Sequence, residues 1–132
     1  MPADLFWLTL TVAMTGLFWV PYILDRAMTR GLMGAMANPI PGAPPQSAWA
    51  ERQMRAHANA VENLVIFASL VLTAHALGIA NAVTASAVVL YFWSRLAHYV
   101  VYSFGIPVLR TLSFVGGFVA QVMLVLAIFK LA

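Results

Sequence analysis

The chain has 132 residues, of which 63% are hydrophobic and 8% are charged, and its net charge is +3 at pH 7. Because soluble domains carry about 25% charged residues, this composition indicates a membrane protein. The absence of cysteine excludes disulfides, thiolate metal sites and a cysteine nucleophile. The small, clustered positive charge indicates membrane topology rather than nucleic-acid binding.

Four apolar runs are judged against the roughly 20 residues that a helix needs to cross a bilayer. They predict helices over about 5–27, 48–77, 82–104 and 108–131. Asp4 is the only charge before the first run, so this run is interpreted as a retained transmembrane helix and not as a cleaved signal peptide. The expected fold is an all-α membrane protein, a four-transmembrane-helix bundle forming one domain over residues 1–132.

Glycine, proline and serine predict where these helices bend and end. Pro21 is expected to kink the end of the first helix. Residues 31–46 combine glycines with four prolines, which predicts a loop without regular structure. Ser47 is the expected N-cap of the second helix, and Gly105 with Pro107 ends the third.

The distribution of arginine predicts the orientation in the membrane. The second connection has no charge. Five arginines lie near the first and third connections: Arg26, Arg30, Arg52, Arg55 and Arg110. By the positive-inside rule, the long loop should lie in the cytoplasm and both termini should face outward. The short connections and the lack of targeting signals favour a bacterial inner membrane.

The start of the second helix carries an unusual polar stripe. Its members fall within about a 100° arc of a helix because their spacing follows the 3.6-residue period: Glu51, Arg52, Arg55, Asn59 and Glu62. Charges at membrane depth are costly and are usually kept for function. A zwitterionic, peptide-sized ligand with carboxylates and an ammonium would match this stripe.

The third helix carries a second polar stripe, in which Tyr91, Arg95, His98 and Tyr102 fall within about 60° of one another. By helical rise, Arg95 and Glu62 lie at similar depth and are expected to pair. This pair can be a structural ion pair, part of a charged ligand pocket, or both.

Histidine spacing argues against a metal centre. His57 and His75 are about 27 Å apart on one helix, and no close cluster of histidine and carboxylate residues accompanies them, so we predict no metal site. His57 points away from the polar stripe, and His75 is expected to act as a capping or interface residue. Arg110, taken alone, is typical of an arginine that extends to the membrane surface.

Three parts of the sequence resemble the MAPEG family, the membrane-associated proteins of eicosanoid and glutathione metabolism. The second helix matches in Glu51-Arg52, Arg55-Ala56-His57, Asn59 and Glu62. The third helix matches the family's RxAHxxxY pattern in Arg95, Ala97-His98 and Tyr102. Arg110, after Pro107, resembles the family's arginine at the start of the fourth helix. The resemblance covers the whole chain in length and helix count.

The resemblance implies a homotrimer that binds glutathione between neighbouring subunits, near the cytoplasmic face. Residues from one subunit would hold glutathione: Arg55, Asn59 and Glu62. Others, some from the neighbour, would complete the site: Arg95, His98, Tyr102 and Arg110. Arg26 is a weaker match to a family arginine near the end of the first helix.

The activity implied by the resemblance is that of a glutathione-dependent membrane transferase or peroxidase acting on hydrophobic electrophiles, with Arg110 stabilising the thiolate. Two positions depart from the family: Phe114 replaces a tyrosine of catalytic branches, and Ala58 replaces a basic residue of some members. A non-catalytic lipid-binding or scaffold subunit of the same fold is therefore an alternative. A small four-helix transporter or accessory subunit is a third interpretation.

Overall fold

The computed structural model describes residues 1–132, and all its regular structure is helical. The helices are α1 (Ala3–Leu17), α2 (Trp19–Met36), α3 (Ala48–Ala76), α4 (Ala82–Ser103) and α5 (Pro107–Ile128). Since α1 and α2 follow one another with a single residue between them, they form one interrupted unit over Ala3–Met36. The predicted all-α membrane fold is confirmed.

The interruption at Phe18 results from Pro21, one turn further along. Proline has no N–H to donate to the carbonyl of Leu17, and its ring crowds that carbonyl. The Phe18 N–H donates to the carbonyl of Thr15, three residues back, at 3.2 Å, whereas a regular α-helix would have the Met14 carbonyl as acceptor. Helix α4 packs against this interruption. The Tyr99 hydroxyl donates to the Phe18 carbonyl at 2.8 Å, and the rings of Tyr99 and Phe18 stack with centroids 3.8 Å apart.

The predicted loop over 31–46 is too long, because α2 continues to Met36. Only Gly31 leaves helical geometry, with φ 74° and ψ 164°, a conformation that glycine adopts without a steric penalty. The chain resumes its helix after Gly31 and leaves it at Ala37, which is extended. One glycine therefore bends the helix without ending it.

Three segments are long and apolar enough to cross a membrane: Ala3–Met36, Ala48–Ala76 and Pro107–Ile128. Helix α4 is not among them, although its 22 residues would extend about 33 Å. Its polar residues lower its mean hydropathy, but Arg95 and His98 are buried inside the bundle. The chain is therefore an integral membrane protein in which the charged side chain of α4 is covered by the other helices.

Polar contacts tie the helix ends together at both ends of the bundle. At one end, Nδ1 of His75 lies 2.9 Å from Oδ2 of Asp4, so His75 joins the end of α3 to the start of α1. At the other end, Ser47 precedes α3 but its side chain does not cap that helix. Its hydroxyl and N–H both donate to the buried Asp25 carboxylate of α2.

The contact between α4 and α5 depends on a glycine. A β-carbon at Gly116 would lie 2.5 Å from the Ser94 hydroxyl oxygen and 3.3 Å from its β-carbon. We expect Gly116→Ala to lower the free energy of unfolding by about 1 kcal/mol, because the Ser94 side chain must shift and this overpacking outweighs the helix preference of alanine. Denaturant titration in detergent micelles, followed by circular dichroism, measures this loss.

The matched control for this change is Gly16→Ala in α1, since a β-carbon at Gly16 would meet nothing within 4 Å. Alanine favours a helix by up to about 1 kcal/mol over glycine, so this variant should be as stable as the parent or more so. Equal destabilisation by both substitutions would show that the close contact at Gly116 is unimportant.

Candidate functional site

The centre of the candidate site is a buried arginine on α4. Arg95 is only 2% exposed, and its Nη2 donates to the Oδ1 of Asn59 on α3 at 2.6 Å. The predicted pair between Arg95 and Glu62 is wrong, because the single ion pair within 4.0 Å in this structure joins His75 and Asp4. Glu62 lies on the exposed side of α3, whereas Asn59 faces α4.

Helix α5 makes room for this arginine. A β-carbon at Gly117 would lie 3.2 Å from the Arg95 Cδ and 3.8 Å from the Tyr91 ring. Three buried polar atoms here have no partner in the protein: Nε of Arg95, Nδ1 of His98 and Oη of Tyr91. They give the interior of the bundle unused hydrogen-bonding capacity at the level of Arg95.

His98, Tyr102 and Arg110 form a cluster one to two turns from Arg95, towards the α4–α5 connection. The His98 ring packs edge-on against Tyr102, with centroids 5.5 Å apart, and at a tilt against Phe114, with centroids 6.2 Å apart. The Arg110 guanidinium lies 4.8 Å from the centre of the Tyr102 ring, which is a cation–π contact. Three of the predicted site residues are therefore brought together.

Arg26 and Arg55 lie together elsewhere, around a polar cavity of about 360 Å³ between α2, the following loop and α3. Arg30 and Glu51 also line this cavity. The Nε of Arg26 donates to Oε1 of Gln46 at 3.0 Å. This cavity combines three guanidinium groups with one carboxylate, so its charge suits an anionic or zwitterionic group.

The predicted residues thus form two groups within one chain. Asn59, Arg95, His98, Tyr102 and Arg110 lie along the contacts of α4 with α3 and α5. Arg26 and Arg55 border the cavity beside α2, and Glu62 is exposed on α3. One subunit alone does not surround a single ligand with all of them.

Sequence reasoning missed the residues that hold Arg26 in place. Oε1 of Gln46 accepts a hydrogen bond from the Arg26 guanidinium. Nε2 of Gln46 donates to the Tyr22 carbonyl at 2.7 Å and to the Asp25 carboxylate at 3.2 Å. Asp25 is 6% exposed. The signal in the sequence for this network is the carboxylate of Asp25 at the end of an apolar run, because buried charges are rarely kept without a role.

His57 is occupied by a structural contact on the far side of α3. Its Nδ1 lies 2.8 Å from the Tyr22 hydroxyl, and its ring packs edge-on against Phe18. The expectation that His57 points away from the polar stripe is therefore confirmed, and its role is to join α3 to α2.

Arginine is strongly concentrated at one end of this bundle. Five arginines lie at or near the loop that follows α2, the start of α3 and the start of α5: Arg26, Arg30, Arg52, Arg55 and Arg110. None of them is within 4.0 Å of a carboxylate. This end of the protein therefore has positive charge that the chain itself leaves unpaired.

Comparison with known families gives one clear result. The model of the MAPEG family matches residues 5–130, which is nearly the whole chain and includes every residue of both groups described above. No match was found among curated proteins or among solved structures.

Proposed function

The chain belongs to the MAPEG family, and from this premise we propose that it is a glutathione-dependent membrane transferase or peroxidase that acts on hydrophobic electrophiles. The observation that carries the proposal is the group of five arginines at one end of the bundle, none of which has a carboxylate partner in the chain. Such a surface favours a ligand with carboxylates and a thiolate.

The residues of the site fit the groups of glutathione. Arg26 and Arg55 can donate to its carboxylates, because guanidinium groups match carboxylates in charge and geometry. Glu62, which has no partner in the chain, can accept from its ammonium. Asn59 is fixed by Arg95 and leaves its NH₂ group to donate.

A site assembled from two subunits would join the two groups of residues. Arg55 and Glu62 lie on the exposed face of α3, and charges within an apolar helix are rarely left facing lipid. Packing that face against a neighbour would bring it close to the His98, Tyr102 and Arg110 of another copy. We propose a homotrimer, as the family resemblance implies, with residues 1–132 forming one domain in each subunit.

Arg110 is the proposed catalytic residue. Glutathione supplies the thiol, whose deprotonated form is the nucleophile. A guanidinium in a partly dehydrated site favours the thiolate over the thiol by electrostatic attraction. The Tyr102 ring holds the Arg110 guanidinium in position through the contact at 4.8 Å, and apolar substrates would reach it from the lipid.

The proposed orientation places the long loop and the arginine-rich end in the cytoplasm, with both termini facing outward. The location of all five arginines at this end supports it through the positive-inside rule. Glutathione would then enter from the cytoplasm, and the membrane would be a bacterial inner membrane.

Phe114 favours a second candidate function, a non-catalytic lipid-binding or scaffold subunit. Its ring packs against His98 and offers no hydroxyl beside the proposed thiolate site. A subunit of this kind would bind lipid without carrying out thiol chemistry. Glutathione binding and turnover of an electrophile separate the two candidates.

The first experiment measures glutathione binding to the detergent-purified protein by calorimetry. We expect saturable binding by the parent and a loss of at least about 100-fold in affinity in Arg55→Ala/Glu62→Ala, because two charge-assisted hydrogen bonds of about 1.5–3 kcal/mol each are removed. Near-UV circular dichroism checks that both proteins are folded.

The matched control is Asp4→Ala/Lys130→Ala, which also removes one charge of each sign but far from the site. This variant should bind glutathione like the parent. If the folded parent shows no binding, the glutathione proposal fails and the lipid-binding alternative is favoured.

A further inference from the structure

A second cleft opens on the side of the bundle, between the start of α3 and the end of α4. It has a volume of about 280 Å³ and is lined by Trp49, Gln53, Tyr99, Val100, Ser103 and Phe104. Trp49 and Phe104 are exposed at 40% and 74%. Tryptophan at a helix end is typical of the membrane–water interface, which places this cleft at headgroup level.

Gln53 is a buried polar side chain of the cleft that makes no hydrogen bond. The Tyr99 hydroxyl already donates to the Phe18 carbonyl, and the Ser103 hydroxyl donates to the Tyr99 carbonyl. By contrast, the Gln53 amide makes no hydrogen bond: its Oε1 is enclosed in the protein, whereas its Nε2 keeps some accessible surface, and the residue as a whole is 9% exposed. A buried amide of this kind is costly unless a bound group pairs with it.

Arg52 brings a positive charge next to this cleft, because it bonds the backbone of Ser103, one of the lining residues. Its Nε donates to the Ser103 carbonyl at 2.9 Å, and its guanidinium lies against Gly105, where a β-carbon would be 3.3 Å from Cζ. Its two terminal nitrogens have no partner in the chain. They are fixed in place and available to an anion.

The α3 residues that line the cleft lie on a different side of the helix from the stripe that carries Arg55 and Glu62. On a helical projection, Trp49 and Gln53 are about 110° and about 150° away from the centre of that stripe. The residues that line the cleft are therefore separate from the surface that the proposed function assigns to a neighbouring subunit, and Arg52 lies at the edge of the stripe, between the two. In a membrane the cleft faces lipid.

We propose that this cleft binds one anionic glycerophospholipid of the surrounding leaflet. Arg52 takes the phosphate, and the Gln53 amide pairs with the glycerol backbone. An acyl chain lies along Tyr99 and Val100, which are deeper in the membrane. The guanidinium, the amide and the apolar wall follow one another in the same order as the phosphate, the glycerol backbone and the acyl chain of the lipid. The site does not depend on glutathione or on Arg110.

Tryptophan quenching tests the proposal with the whole protein. Two sets of phosphatidylcholine vesicles are prepared. One contains a small fraction of phosphatidylglycerol with brominated acyl chains, and the other contains the same fraction of phosphatidylcholine with brominated acyl chains. The difference in quenching between the parent protein and Trp49→Phe measures the quenching of Trp49, which lines the cleft. We expect the brominated anionic lipid to be enriched there at least about five-fold, since one arginine near the membrane surface contributes about 1 kcal/mol.

Arg52→Gln should abolish this preference, whereas Arg30→Gln is the matched control that should retain it. Arg30 lies at the same end of the bundle and also donates from Nε to a backbone carbonyl, that of Pro44, at 2.9 Å. Gln53→Leu should reduce Trp49 quenching by both lipids. Trp93, exposed at 56% in a different part of α4, should show no preference.

The proposal is overturned if Trp49 shows no headgroup preference, or if Arg52→Gln and Arg30→Gln lower it equally, because diffuse surface charge would then account for the preference. If Arg52→Gln does not fold, competition in the parent protein decides the matter. Unlabelled phosphatidylglycerol should relieve the quenching by its brominated form, and unlabelled phosphatidylcholine should not. Equal relief by both lipids overturns the proposal.

Discussion

Arg110→Gln is expected to lower glutathione-dependent turnover by about 10²–10³-fold, the usual effect of removing one preorganised group that stabilises developing negative charge. Glutamine is polar and can donate a hydrogen bond, but it is shorter than arginine and lacks its charge. The guanidinium is held over the Tyr102 ring at 4.8 Å, so its position does not depend on an ion pair within the chain. Affinity for glutathione itself should change much less than turnover, because Arg55 and Glu62 remain.

A direct measurement of the thiolate separates this role from a general loss of structure. The ultraviolet absorbance of thiolate in bound glutathione should appear with the parent protein, decrease in Arg110→Gln and return partly in Arg110→Lys, which restores a positive charge. Lys130→Gln, which removes a cation at the other end of the bundle, is the control and should retain both signals. An undiminished thiolate signal in Arg110→Gln would assign the role to another group.

The helices could be predicted from the sequence because each is marked by a long apolar run between glycine, proline or charged residues. The end of α2 could not be predicted. Gly31 is a strong loop signal, yet the chain returns to helical geometry directly after it. Local residue preferences do not reveal whether a glycine ends a helix or only bends it.

The polar stripes could be predicted from spacing, but the partners within them could not. Asn59 and Glu62 are three residues apart on α3, so both lie near the depth of Arg95 and within about 60° of each other on the helix. Depth and charge favour Glu62 as the predicted partner of Arg95. The rotation of α3 in the bundle decides the matter, because it points Asn59 towards α4 and leaves Glu62 outside.

The network around Asp25 shows a second limit of sequence reasoning. Ser47 has the residue type and position of an N-cap, but the carboxylate of Asp25, 22 residues earlier, takes both its hydroxyl and its N–H. Contacts between distant segments depend on how helices pack. Periodicity within one helix carries no information about them.

The pairing of Arg95 with Asn59 leads to the largest expected effect on stability. Asn59→Leu removes the acceptor of the 2.6 Å bond and leaves a guanidinium that is 2% exposed without its partner. Because removing one partner from a buried charged group costs about 3 kcal/mol or more, the free energy of unfolding should fall by about that amount. Denaturant titration in micelles measures it.

Two control substitutions show whether the loss of stability comes from this pairing. Asn63→Leu changes the same residue type one turn along α3, where the side chain donates only to the Asn59 carbonyl of its own helix, and should cost about 1 kcal/mol or less. Glu62→Gln should leave stability unchanged, whereas a large loss would indicate that Glu62 is the partner of Arg95 after all.

A double substitution completes the test, since Asn59→Leu/Arg95→Met replaces both partners with apolar groups of similar length. Removing the buried charge together with its acceptor should recover most of the stability that Asn59→Leu loses, because the cost arises from leaving a charge unpaired and not from losing a bond. If the two losses simply add, Asn59 stabilises the bundle independently of Arg95. Recovery of stability without recovery of glutathione binding would show that the buried pair serves the site beyond its role in the fold.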